Sequence, residues 1–155
     1  MRPYRDVATL AGAQILCFLL LTHLEPNFFL IHLYQSILYI AILVMLFYME
    51  DRWAYMIGML ASVVWLGLAY EAGILGSAVR QISQLGSGTN AGAVGLVALT
   101  TALLAVLMIV FCGRHWMKEY SGLGKSPVTF FVSLGIVVVY YGTLLRFFWA
   151  MIPNA

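Results

Sequence analysis

The sequence predicts an all-α polytopic membrane protein, a bundle of five transmembrane helices, and two features support this prediction. Of the 155 residues, 63% are hydrophobic and only 9% are charged, whereas soluble domains contain about 45–50% apolar and about 25% charged residues. The chain also contains five apolar runs, each of roughly 20 residues and long enough to cross the roughly 30 Å hydrocarbon core of a bilayer as a helix. We therefore expect one integral-membrane domain that covers residues 1–155 and has the lipid bilayer as its surroundings and partner.

Turn-forming and polar residues separate the predicted spans, which cover residues 7–22, 28–49, 54–77, 91–112 and 127–151. The first run has no small-residue cleavage site after it, so we expect an uncleaved span rather than a signal peptide. Pro26 cannot continue a helix, and it separates the first two spans. Asp51 is placed to cap the third span, because its carboxylate can accept hydrogen bonds from the free N–H groups there.

The fourth and fifth spans have local signals of their own. The glycine-rich run from Gly86 to Asn90 predicts a loop before the fourth span. Ser126 followed by Pro127 is typical of a helix start, because proline fits the first helical position. Small residues recur four positions apart around Gly58 and Gly95, which predicts that the third and fourth spans pack closely together.

Positively charged residues predict the orientation, because the cytoplasmic loops of membrane proteins collect lysine and arginine. If the N-terminus is inside, the inner side holds Arg2, Arg5, Arg52, Arg114, Lys118 and Lys125. The outer side then holds only Arg80, since Arg146 lies within the fifth span. We expect the N-terminus inside and the C-terminus outside, in a bacterial inner (plasma) membrane.

Polar side chains inside the spans fall at one predicted depth, about 8–12 Å below the outer helix ends. They are His32 and Gln35 in the second span, Glu71 in the third and Arg146 in the fifth. A charge in hydrocarbon costs several kcal/mol unless it is paired or hydrated, so these groups are expected to face the bundle interior. They form a predicted ligand-binding or ion-pair cluster, and a Glu71–Arg146 pair that only stabilises helix packing is the simpler alternative.

Three further polar residues lie in the predicted outer connections above this cluster. They are His23, Glu25 and Arg80, and they form a candidate outer gate. No cofactor is predicted for the chain, with one alternative. His23 and His32 could ligate haem b from two helices.

Several kinds of site and partner are not expected. No cysteine and histidine cluster has the spacing of zinc ligands, so no metal site is predicted. Cys17 falls near the middle of the bilayer and Cys112 near its inner boundary, which is too far apart for a disulfide. A net charge of +2 with scattered basic residues does not favour a nucleic-acid partner.

Three classes of function remain open. The first is a small non-catalytic membrane protein that acts as a homo-oligomer or as a subunit of a larger bioenergetic or transport complex, because the chain has no catalytic motif. The second is a carrier or channel with an outer-facing polar site around Glu71, Arg146 and His32. The third is a lipid- or quinone-handling enzyme that uses the same residues in an apolar pocket.

Overall fold

The computed structural model describes residues 5–48, 50–84, 90–120 and 126–148. Its elements are α1 (Arg5–Leu24), a 3-10 turn (Pro26–Phe28), α2 (Phe29–Phe47), α3 (Asp51–Glu71), α4 (Ile74–Ile82), α5 (Ala91–Glu119) and α6 (Ser126–Phe148). Within these ranges, five helices are long and apolar enough to cross a membrane, and α4 is the short exception. The prediction of an all-α protein with five such helices is therefore confirmed.

The long helices pack side by side, and α5 contacts α1, α3 and α4. Short connections make α1, α2 and α3 run antiparallel to one another. We call the end where α1 ends and α2 begins the His32 end, and the end where α1 begins and α5 ends the His115 end. Asp6 contacts His115, so the end of α5 lies beside the start of α1. Tyr34 contacts Tyr140, so the end of α6 lies beside the start of α2.

Large aromatic side chains are buried within the bundle. Phe18, Tyr39 and Tyr55 have no exposed surface, and Trp65 is almost as deeply buried. The Phe18 ring centroid lies 5.7 Å from that of Tyr39 and 6.0 Å from that of Trp65. Leucine, valine and phenylalanine side chains are exposed along the outer faces of the long helices, as expected where helices contact lipid.

The predicted third span, 54–77, is wrong as a single helix. α3 ends at Glu71, and Gly73 adopts a left-handed conformation with φ 67° before α4 begins. Glycine adopts this conformation without a steric penalty, because it has no Cβ. Hydropathy did not reveal the break, since residues on both sides of it are apolar.

The fourth span also differs from its predicted range of 91–112, because α5 continues to Glu119. The added turns are polar yet helical, and they include His115 and Glu119, whose side chains face each other one turn apart. Asp51 begins α3, but the N-cap residue is Glu50, so the predicted capping role of Asp51 is wrong.

The start predicted for the fifth span is confirmed, because α6 begins at Ser126. Residues 86–89 of the predicted loop and residues 149–151 of the predicted fifth span lie outside the described part of the chain.

Candidate binding cavity at the His32 end

A cavity of about 360 Å³ lies at the His32 end, and all six helices contribute to its wall. Its lining residues are Phe18, Leu21, Glu25, Phe28, Ile31, His32, Gln35, Trp65, Leu68, Ala69, Ala72, Ile74, Ser77, Ala78, Gln81, Val94, Ala98 and Leu144. Most of these side chains are apolar, and a few polar groups stand among them, which is the usual composition of a small-molecule site.

A histidine and a carboxylate form the main polar contact of this wall. Nε2 of His32 lies 3.3 Å from Oε2 of Glu25, and the two side chains are 14% and 31% exposed. Because a carboxylate only accepts hydrogen bonds, Nε2 carries the hydrogen and donates it. The Phe28 ring packs edge-on beside the imidazole at a centroid distance of 6.5 Å. The pair is thus sheltered on one side, while Glu25 reaches the surface of the bundle.

The opposite side of the cavity is aromatic. Phe18 lies about two helical turns before Glu25, which places it about 10 Å deeper along the helix axis. Its ring packs edge-on against Trp65, and both rings line the cavity. The cavity therefore has a polar mouth and an aromatic floor.

Helix α4 forms one side of the cavity, and its position depends on Gly95 of α5. A Cβ built on Gly95 would lie 2.6 Å from the carbonyl oxygen of Ala78 and 2.9 Å from Cβ of Gln81. Both distances are shorter than van der Waals contact, so only glycine allows α4 to pack this closely. Ala78 and Gln81 line the cavity, and Gly95 therefore helps to shape it.

The predicted packing of the third span against the fourth is confirmed at Gly58, one of the two glycines on which the prediction rested. A Cβ built on Gly58 of α3 would lie 3.1 Å from Sγ of Cys112 on α5. Gly95, in contrast, contacts α4, a helix that hydropathy did not separate from α3.

The structure brings together only part of the predicted polar cluster. His32 and Gln35 line the cavity, and Glu25 from the candidate gate joins them. Glu71 and Arg146 are exposed, and no ion pair joins these two described residues. Glu71 is the last residue of α3, so its predicted position about 8–12 Å below the end of that helix is wrong.

The remaining gate residues, His23 and Arg80, are exposed and do not line the cavity. His23 is in the last turn of α1, whereas His32 points toward Glu25. Haem ligation by this pair of histidines stays a prediction. Among the described residues, no group of three or more His, Cys, Asp or Glu side chains could hold a metal ion.

Two polar lining residues were missed because the predicted third span ended at Ser77, so the residues of α4 were divided between that span and the polar connection after it. Ser77 and Gln81 lie one turn apart on α4 and line the cavity. The sequence could have indicated this helix, because polar and apolar residues from Ile74 to Ile82 recur with the period of a short amphipathic helix.

A second histidine site lies at the His115 end and was also missed. Nε2 of His115 lies 3.0 Å from Oδ2 of Asp6, and Nδ1 lies 3.5 Å from Oε1 of Glu119. The imidazole stacks on Tyr55 with ring centroids 5.2 Å apart. Burial raises the pKa of Tyr120, and the nearby carboxylates of Glu119 and Asp51 raise it further. The carboxylates of Asp6 and Glu119 thus lie on two sides of one imidazole at this end.

Comparison of the chain with models of known protein families, with curated proteins and with solved structures finds no match.

Proposed function

We propose that this protein is a membrane-embedded binding protein, of the kind that a carrier requires, whose ligand is a small molecule with an apolar body and a polar end. The observation that supports this proposal is the cavity of about 360 Å³ with a polar mouth and an aromatic floor. Ligand pockets usually measure about 300–1,000 Å³, so the cavity suits a ligand at the small end of that range.

The polar mouth favours an amphipathic ligand over a purely apolar one. Burial of apolar surface contributes about 25 cal/mol per Å² when the ligand comes from water. A ligand that is already dissolved in the bilayer gains little from this term, because lipid tails are as apolar as the cavity wall. Selectivity must then come from Glu25, His32 and the amides of Gln35 and Gln81.

A lipid tail that merely fills the space is the simplest competing occupant. It would leave these polar groups without a new partner, whereas an amphipathic ligand can form hydrogen bonds with them. A role as a homo-oligomer or complex subunit stays a prediction, and it is compatible with ligand binding because the cavity lies within one chain.

Trp65 in the cavity floor provides a direct test. We expect 8-bromooctan-1-ol to quench tryptophan fluorescence saturably in zwitterionic phosphatidylcholine nanodiscs, because its bromine can reach the Trp65 ring. The saturable component should disappear in Trp65→Phe.

A matched pair of substitutions on α5 checks the location of the probe. Ala98 lines the cavity, so Ala98→Leu should weaken binding, while Ala102→Leu one turn further along should preserve it. Quenching that is linear with probe concentration, or unchanged in Trp65→Phe, would refute the proposed binding function.

A further inference from the structure

We infer that the cavity selects an organic cation, with its charged head beside Glu25 and its apolar body against Phe18 and Trp65. This inference rests on the proposed function and names the chemical class of its ligand. It follows from the charge of the wall, the positions of its aromatic rings and the depth of its floor.

The formal charge of the lining residues is negative when histidine is counted as neutral. Glu25 is the one Asp, Glu, Lys or Arg residue among the described residues that line the cavity, and His32 contacts its carboxylate. The cations of this end, Arg80 and Arg146, are exposed and do not line the cavity. An anion would therefore be repelled by Glu25, whereas a cation would pair with Glu25 in surroundings less polar than water.

The other groups of the wall favour an organic cation over a metal ion. Phe28 lies at the mouth beside His32, and Phe18 and Trp65 form the floor. Aromatic faces attract alkylammonium groups, whose charge is weakly hydrated. A metal ion instead requires several close ligands, and the described residues contain no group of three or more His, Cys, Asp or Glu side chains that could hold one.

The depth of the cavity sets the shape of the ligand. The floor lies about 10 Å below Glu25 along the helix axis. A ligand with one charged end and an apolar chain can thus keep its head near the bundle surface while its body reaches Trp65. This arrangement agrees with the position of Glu25 directly after α1.

The experiment compares two probes that differ only in the head group. These are (8-bromooctyl)trimethylammonium and 8-bromooctan-1-ol, and the readout is saturable quenching of Trp65 in zwitterionic phosphatidylcholine nanodiscs. We expect the cation to bind about tenfold more tightly than the alcohol, since only the cation gains an ionic contact with the Glu25 carboxylate. Glu25→Gln should bring the ratio of the two dissociation constants close to one.

Glu71→Gln is the matched control, because it removes an exposed carboxylate of the same end that does not line the cavity. It should leave the ratio unchanged, and thermal unfolding should verify that both variants are folded. Equal binding of the two probes to the unsubstituted protein would overturn the cation inference and leave the proposed function intact. A preference that persists in Glu25→Gln would also overturn it, while saturable binding of neither probe would refute the proposed function itself.

Discussion

The two ends of the bundle each hold a histidine bonded to a carboxylate, but the surroundings of the two histidines differ. At the His115 end, both ring nitrogens face carboxylates, and Tyr55 stacks on the imidazole. At the His32 end, one ring nitrogen bonds to Glu25, and the ring borders a cavity. The same pair of residue types thus forms part of a packed contact at one end and part of a cavity wall at the other.

The helices that meet at each end explain this difference. Asp6, Tyr55 and His115 bring α1, α3 and α5 together, so the His115 contact joins three long helices. Glu25 and His32 are close in sequence and join only the turn after α1 to the start of α2. We therefore expect the His115 end to contribute more to folding stability and the His32 end more to binding.

The largest difference in stability between the two ends is expected from substitutions of two glycines on α5. Gly95→Ala should destabilise the protein by about 1–3 kcal/mol, because the new Cβ meets backbone atoms of α4 that cannot move independently. Gly113→Ala at the His115 end should be neutral or stabilising by up to about 1 kcal/mol, because its Cβ would lie 3.7 Å from Sδ of Met59 and alanine favours helices. Denaturant unfolding in detergent measures both changes, and equal values would contradict the close packing of α4.

The next effect separates the two histidines. His115→Gln should cost about 1–2 kcal/mol, since it weakens the contacts with Asp6 and Glu119 and removes the ring that stacks on Tyr55, although Asp6 is 39% exposed and its contact is screened by solvent. His32→Gln should cost less than about 1 kcal/mol, because glutamine can still donate to the partly exposed Glu25. A larger loss of unfolding free energy for His32→Gln would reverse the roles assigned to the two ends.

A smaller effect is expected where α6 meets α2. The hydroxyl of Tyr34 donates to the backbone carbonyl oxygen of Tyr140, and the hydroxyl of Tyr140 donates to the backbone carbonyl oxygen of Tyr34. The two rings stack with their centroids 4.4 Å apart. Each Tyr→Phe change should cost about 1 kcal/mol of unfolding free energy, and the double variant should deviate from additivity by about 0.5 kcal/mol. Tyr70→Phe, at a tyrosine that is 72% exposed, serves as the control and should have no effect.

The smallest effect concerns the two charges that were predicted to pair. Glu71→Gln and Arg146→Met should each change the unfolding free energy by less than about 0.5 kcal/mol, because both side chains are exposed. The double variant should equal the sum of the two within about 0.5 kcal/mol. A coupling energy above about 1 kcal/mol in this double-mutant cycle would restore the ion pair between them.

The number of long helices and the positions of most turns could be predicted from the sequence, because both depend on local properties. The mean hydropathy of a segment depends only on the residues within it, and Pro26 and Pro127 restrict the backbone conformation of the residues next to them. His32 and Gln35 could also be selected, since a polar side chain within an apolar run requires a polar partner. The orientation, with the His115 end inside, stays a prediction from the distribution of basic residues.

Only the tertiary structure decided which polar groups meet, because that depends on how each helix is rotated about its axis and on which helices are neighbours. Glu71 and Arg146 had the charges of an ion pair, but both side chains are exposed. Asp6 and His115 are 109 positions apart, and a periodic pattern within one helix contains no information about such a contact. The break at Gly73 also depends on a contact between helices, because the close approach of α4 to Gly95 stabilises a turn inside a run that is apolar on both sides.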